Sequence, residues 1–193
     1  MKHEIPELPD AEIFYFPNFF SEVDADLYLE QLLKDTPWKQ DKIRIFGKEM
    51  LQPRLTALYA DNGKDYKYSG LTMHPQPFSE TLLKIKEAVE KVSDVRFTTC
   101  LLNLYRNGKD SMGWHADDEK ELGDNPEIVS VSFGAERIFH LRHKSKTAKF
   151  KLKLENGSLL VMKGPTQHFW KHQLPKTKKE IGSRINLTFR RIE

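Results

Sequence analysis

Two side chains that bind divalent metals stand two residues apart in His115-Ala116-Asp117, and two more histidines, His168 and His172, stand four apart near the C-terminus. In an extended segment residues i and i+2 project from the same side, so His115 and Asp117 can converge on one ion. Two imidazoles and one carboxylate on one face of an octahedron leave three positions open. Non-haem iron(II) uses that arrangement to hold a bidentate oxo-acid together with dioxygen. By spacing, either His168 or His172 can supply the third ligand. A lone His-x-Asp also suits an ordinary surface loop, so the reading needs a second signal.

The C-terminus supplies one. In Arg184-Ile-Asn-Leu-Thr-Phe-Arg190, Ile185, Leu187 and Phe189 form an apolar face, while Arg184, Asn186, Thr188 and Arg190 point the other way. Two arginines six residues apart span roughly 20 Å of extended chain, and their long side chains, leaning inward, can clamp a short dicarboxylate. The planar guanidinium fork suits that task because it makes two parallel charge-assisted bonds to one carboxylate. Segment 98–105 offers a matching surface, with Asn103 and Tyr105 on one face and Cys100, Leu102 and Leu104 on the other. An amide and a phenol beside two arginines complete a carboxylate pocket.

The elements that must position these groups follow from periodicity. The chain's 193 residues, 38% of them hydrophobic and 31% charged, suit one soluble domain with a proper core. Residues 1–20 read as an extended arm with little regular structure. Ser21 is an N-cap for a first helix ending before Pro37, with Val23, Leu27, Leu32 and Leu33 at helical spacing. A second helix spans about Ser79 to Val92, its apolar side Leu82, Leu83, Ile85, Val89 and Val92, its wet side Lys84, Lys86 and Glu87. Alternating segments at 98–105, 128–133, 137–142, 149–154, 158–162 and 184–192 read as strands. Asn156-Gly157 is a hairpin signal between two of them. Two helices before many short strands predict an α+β fold, an antiparallel double-sheet jelly roll with helices on one face.

Net charge is +3, yet residues 137–193 hold 15 Lys and Arg against 3 Asp and Glu, which leaves the first 136 residues at −9. Such polarity suits either a polyanion such as nucleic acid or a solvated lysine-rich surface. One cysteine, Cys100, excludes an internal disulfide and a multi-cysteine zinc site. With no apolar run of membrane length and no secretory leader pattern, a soluble monomer of the cytoplasm or nucleus is expected.

Taken in order, Asn103-Leu-Tyr105, His115-Ala-Asp117-Asp118-Glu119, Ser130-Val-Ser-Phe-Gly134, Trp170-Lys-His172-Gln-Leu-Pro175 and Arg184-Ile-Asn-Leu-Thr-Phe-Arg190 closely resemble the AlkB family of oxidative nucleic-acid demethylases. The likeness covers residues 38–192. It is nearest to members acting on duplex DNA, since Ile45-Phe-Gly-Lys48, Pro53-Arg54 and Tyr66-Lys-Tyr-Ser-Gly70 also correspond. The resemblance implies a double-stranded β-helix core over 97–193, within one dioxygenase domain over 21–193, and a nucleotide-recognition lid over 38–78. It implies iron(II) on His115, Asp117 and His172, with 2-oxoglutarate held by Asn103, Tyr105, Arg184, Asn186, Thr188 and Arg190, and dioxygen as co-reactant. His168 then falls to packing or to supporting the ligands, and His74, His140 and His143 to solvated or structural roles.

The substrate implied is DNA carrying 1-methyladenine or 3-methylcytosine, repaired by methyl hydroxylation and release of formaldehyde. A stacked base cannot reach a buried metal, so the nucleotide must be flipped or single-stranded. Phe46 resembles the family's finger that fills the gap, although it equally suits a core; Gly47 permits a sharp turn and Lys48 can meet a phosphate. Arg54, Tyr66, Lys67 and Tyr68 are further candidate strand contacts, and Asp118 and Glu119 approach the cationic methylated base. The sequence departs from the family at Glu49-Met-Leu-Gln52, the tip that sets strand preference. The same chemistry on RNA or on a protein side chain is the alternative.

Overall fold

The computed structural model describes residues 5–45, 48–68, 71–93 and 95–192. In chain order its strands are β1 (Glu12–Phe16), β2 (Lys42–Ile45), β3 (Lys48–Leu51), β4 (Leu55–Ala60), β5 (Tyr66–Tyr68), β6 (Leu71–Met73), β7 (Thr99–Tyr105), β8 (Met112–His115), β9 (Ile128–Gly134), β10 (Arg137–His143), β11 (Lys149–Leu154), β12 (Ser158–Lys163), β13 (Trp170–Leu174) and β14 (Arg184–Arg190). Two helices, α1 (Glu22–Asp35) and α2 (Glu80–Glu90), precede the strand-rich half.

Six strands form a large sheet in the order β1-β12-β9-β14-β7-β4, and four form a small sheet in the order β11-β10-β13-β8. Every pairing within them is antiparallel. Alternation gives the large sheet two buried faces. Cys100, Leu102, Leu104, Val129, Val131, Phe133, Ile185, Leu187 and Phe189 pack with Leu32, Leu82, Ile85 and Val89 of the helices. The opposite face, with Leu101, Ser130, Met162 and the polar residues of β7 and β14, meets Phe139, Leu154, His172 and Leu174 of the small sheet. The expected jelly roll with helices on one face is thus the fold observed. Two further hairpins, β2-β3 and β5-β6, lie within 38–78.

Several local expectations change. The arm contributes β1, which pairs with β12 and so closes one edge of the large sheet. It is pinned to the body by Trp170 Nε1 donating to the Pro9 carbonyl at 2.8 Å and by Tyr15 Oη donating to the Lys153 carbonyl at 2.8 Å. Buried His143 adds a third tie. Its Nδ1 accepts from the backbone N–H of Ser145 and Lys146, which leaves Nε2 protonated to donate to Asp10 at 3.1 Å.

Asn156-Gly157 does not close a hairpin. β11 pairs with β10 in the small sheet and β12 with β1 and β9 in the large one. The turn changes sheets because its polar groups are taken by other partners: Gly157 N–H donates to Ser132, Phe20 N–H donates to the Gly157 carbonyl, and Gly134 N–H donates to Asn156 Oδ1. Gly157 has φ of 72°, and an added Cβ would lie 2.8 Å from the Phe20 oxygen. Only glycine suits that approach.

The expected cap holds, Ser21 accepting from the N–H of Asp24, and Ser79 caps the second helix in the same way, accepting from the N–H of Leu82. The buried face of α1, however, is Ala25 and Leu32, while Val23 and Leu27 are exposed. On α2, which ends at Glu90 before Val92, Leu83 is exposed and Lys86 is buried, its ammonium 3.0 Å from Glu90 and 3.7 Å from Asp61.

The loop between β7 and β8 is held by Asp110, whose buried carboxylate accepts from Arg106 N, Nε and Nη2 at 2.9, 2.8 and 3.0 Å. Burial pushes this carboxyl's pKa up, but the Arg106 bonds outweigh it and hold it below the ordinary value. The unfolded chain therefore takes up the proton first. The contribution to stability is complete above about pH 3.9 and is lost as pH falls further. Asp110→Asn should destabilise the protein by about 2 kcal/mol at neutral pH and should flatten the loss of stability below that value, measured by denaturant titration across pH.

Candidate active site

A polar pocket lies between the sheets, and the last strand lines it with Arg184, Asn186, Thr188 and Arg190. Register sets the neighbours. β14 runs between β7 and β9, placing Arg184 opposite Tyr105, Asn186 opposite Asn103 and Ser132, and Thr188 opposite Ser130. All four polar side chains of β14 are buried.

His115, Asp117 and His172 meet at one end of this pocket, each offering a ligand atom within 4.8 Å of the others. β8 and β13 are neighbours, with His115 directly opposite His172. Their pairing is irregular: three steps from Met112 to His115 face two steps from His172 to Leu174. An extra residue of this kind re-aims the side chains beyond it, and it turns both Met112 and His115 to the pocket. Asp117 follows in the segment after the strand and is 2% exposed.

Hydrogen bonds fix the donor atoms. His115 Nδ1 donates to the Gly113 carbonyl at 2.8 Å; a carbonyl only accepts, so Nε2 keeps its lone pair for an ion. That Nε2 lies 3.0 Å from His172 Nε2, which is 3.6 Å from Asp117 Oδ2. Burial pushes the His172 imidazole down to about 3, with His115 adding to the effect, and burial also lowers His115. Both rings are neutral at neutral pH, the form that binds metal. Burial pushes the Asp117 carboxyl up, yet Arg190, His172 and His115 together hold it far below the ordinary range. Its Oδ1 accepts from Arg190 Nη2 at 2.6 Å, and its backbone N–H donates to Gln167 Oε1 at 3.0 Å. Oδ2 is left facing the imidazoles.

Deeper in the pocket, Arg184 is 2% exposed, donates from Nη2 to Ser132 Oγ at 2.9 Å and sits 5.3 Å from the Tyr105 ring centre. Burial pushes its guanidinium down to about 10, so it stays charged at neutral pH. Its buried Nε has no hydrogen-bond partner among the described residues. Among the described residues, two arginines and one carboxylate are the charged groups lining the pocket. The excess of buried positive charge, rising further with a divalent ion, calls for an anion. The donor set and this excess therefore fit a metal together with a dicarboxylate.

The family profile of the 2OG-Fe(II) oxygenase superfamily matches residues 12–190. The chain belongs to this superfamily. Among its relatives, human alpha-ketoglutarate-dependent dioxygenase alkB homolog 3 is 40% identical over 94% of this chain and 66% of its own length. Human DNA oxidative demethylase ALKBH2 is also 40% identical, over 90% of this chain and 70% of its own. The chain thus spans about two thirds of the length of the first curated relatives it matches. The solved structure of OsALKBH1 superposes with a TM-score of 0.65 over 96% of this chain and 99% of its own at 17% identity, a likeness of fold. Iron(II) and 2-oxoglutarate are the metal and cosubstrate of this superfamily, and the pocket's donor set fits both.

Other expected site residues lie apart. Phe46 and Gly47 fall outside the described residues, while Lys48 opens β3 and Tyr66, Lys67 and Tyr68 make β5. Arg54, expected at a phosphate, is 4% exposed and donates from Nε to Asn103 Oδ1 at 2.7 Å. The buried guanidinium braces Asn103. Asp118 is exposed and pairs with Lys144 at 3.1 Å; neither it nor Glu119 lines the pocket. His168 is exposed rather than packed, and its neighbour Gln167 does the supporting. Sequence reasoning missed Gln167, which sits in the single helical turn Thr166–Phe169 where no periodicity shows. It also missed Arg137, buried 5.8 Å from the Tyr105 ring centre and donating to the carbonyls of Asp110 and Pro175. Its inward parity with Phe139 and Leu141 was readable.

His172→Ala should abolish manganese(II) binding, used as an iron surrogate in calorimetry, while leaving the circular dichroism unchanged. Gln167→Leu should weaken the same binding roughly tenfold.

Proposed function

We propose that this chain is an iron(II)- and 2-oxoglutarate-dependent oxygenase that removes methyl groups from N-methylated bases in DNA. The observation that carries the chemistry is the convergence of three metal-donor atoms with two buried arginines in one pocket. The substrate class is supported by the name and likeness of the DNA oxidative demethylase relatives. When bound, iron(II) and 2-oxoglutarate supply oxidation of a C–H bond by dioxygen, the cosubstrate leaving as succinate and carbon dioxide. The hydroxylated N-methyl group then separates as formaldehyde and restores the N–H or lone pair of the base.

In this reading the chain's own side chains divide the work. Neutral His115 and His172 and anionic Asp117 hold the metal. Arg184, beside Tyr105, grips the far carboxylate of 2-oxoglutarate, and its unpartnered Nε supplies a donor for that contact. Arg190 and Asn103 would hold the other carboxylate of 2-oxoglutarate, and Arg190 also restrains Asp117. Asn186 and Thr188 keep the pocket wall rigid: Asn186 Nδ2 donates to Ser130 Oγ at 2.7 Å and Thr188 Oγ1 donates to Asn186 Oδ1 at 3.1 Å.

Residues 38–78 form the nucleotide-recognition lid in this proposal, with Phe46, Gly47, Lys48 and the Tyr66-Lys67-Tyr68 strand addressing the DNA. Asp118 and Glu119 favour the positively charged methylated base. Strand preference follows from the lid tip at Glu49-Met-Leu-Gln52.

Iron-loaded protein should release succinate and formaldehyde in equal amounts from oligonucleotides carrying 1-methyladenine or 3-methylcytosine. No formaldehyde from either lesion, in single or double strands, would sink the repair assignment; turnover of RNA in preference to both would move the substrate class. Arg184→Gln should raise the KM for 2-oxoglutarate by roughly ten- to a hundredfold with a smaller effect on kcat, as expected for the loss of a charge-assisted bond.

A further inference from the structure

The pocket makes no use of the outer face of the small sheet. Its strands β8, β10, β11 and β13 contain no Asp or Glu. Alternation sends Phe139, Leu141, Leu152 and His172 inward and leaves Arg142, Lys149, Lys151 and Lys171 on the outside, Lys171 half-buried and the rest exposed. Register then aligns them. Arg142 stands opposite Lys149 on one side and Lys171 on the other, so three cations cross three strands in a row at roughly 5 Å intervals. Lys151 follows in the next row, opposite His140.

Like charges directly opposite one another destabilise a sheet. The fold neutralises cations at the margins, where Lys153 pairs with Glu136 and Glu155 and Lys144 with Asp118. Among the described residues, none of the four on the face makes an ion pair with an acidic side chain. Arg142 instead stacks over the Trp114 ring at 4.2 Å, and Trp114 precedes His115 in the chain. The row therefore leads, through an aromatic ring, to the strand that carries a metal-donor residue.

We propose that this face binds the phosphodiester backbone of the nucleic-acid strand flanking the nucleotide offered to the pocket. The inference rests on the nucleic-acid reading of the pocket and adds a second, sequence-independent contact to it. A strand carries one negative charge per nucleotide, and counterions released from it favour any row of unpaired cations. Cations interleaved with an aromatic are also the combination that tracks single strands, and Trp114 is half-buried beside Arg142. An acidic protein is the competing partner, and the experiment separates the two.

Binding is measured by fluorescence anisotropy, across salt concentrations, for a long single-stranded oligonucleotide containing 1-methyladenine; turnover is measured on a trinucleotide with the same base. The triple variant Lys149→Gln, Lys151→Gln, Lys171→Gln should bind the long strand roughly tenfold more weakly and reduce the log–log salt slope by about two. Trinucleotide turnover should stay unchanged, and the melting temperature should hold or rise as repulsion is relieved. The three Lys→Arg substitutions should retain the wild-type slope. An unchanged affinity and slope in the Gln triple would overturn the proposal, as would equally tight binding of polyglutamate by the wild type. Wild-type protein that shows the salt-dependent binding but turns over no methylated strand rejects the demethylase reading and leaves the face assigned.

Discussion

The ion pair between Arg190 and Asp117 joins the two sheets at the point where the chemistry gathers. Arg190 lies in the large sheet's central region and Asp117 in the segment leaving the small sheet, both almost wholly buried. A buried carboxylate alone would take up a proton, and a buried guanidinium alone would draw in water. Together they keep Asp117 anionic between two imidazoles that burial keeps neutral. Their mutual attraction offsets the cost of desolvation only while the geometry holds. That geometry depends on the register of β14 and on the Gln167 contact to the Asp117 backbone.

The rest of the architecture supports this arrangement. Strand β14 is buried on both faces, so its odd residues are committed to the helix-covered core and its even ones to the pocket. A one-residue slip would exchange the two sets and bury arginine against Ile85 and Leu82. The arm's β1 strand closes an edge beside β12, and Arg137 ties the β7–β8 loop to the segment after β13 from beneath Tyr105. The pocket's charge excess is thus built on elements that have little freedom to move away from it.

Where local patterns misled, a tertiary partner had taken the groups that the pattern assumed free. Asn156-Gly157 has hairpin chemistry, but β9 and Phe20, just before α1, claim its backbone bonds and the chain crosses between sheets. Val23 and Leu27 keep helical spacing, yet α1 presents Ala25 and Leu32 to the sheet because close approach favours a small residue there. Arg54 follows a proline in a polar stretch and reads as surface, while its place just before β4 sets it against Asn103.

From the sequence by itself, the periodicity-two face of Arg184 to Arg190, the matching face of Asn103 and Tyr105, and the His115-x-Asp117 spacing were all legible, because side-chain alternation in a strand is a local geometric property. Six strands of the C-terminal half were legible for the same reason, and the Ser21 cap because a hydroxyl ahead of a helix takes one of its free backbone N–H groups. The choice of His172 over His168 was carried by resemblance alone at that stage. Tertiary structure decided it spatially: the pairing of β13 with β8, and the extra residue in β8, set His172 against His115 and leave His168 in solvent. Cross-strand register, the burial of Arg54 and Arg137, and the row of cations on the small sheet are relations between residues far apart in the chain. They come into being only when the sheets close on each other.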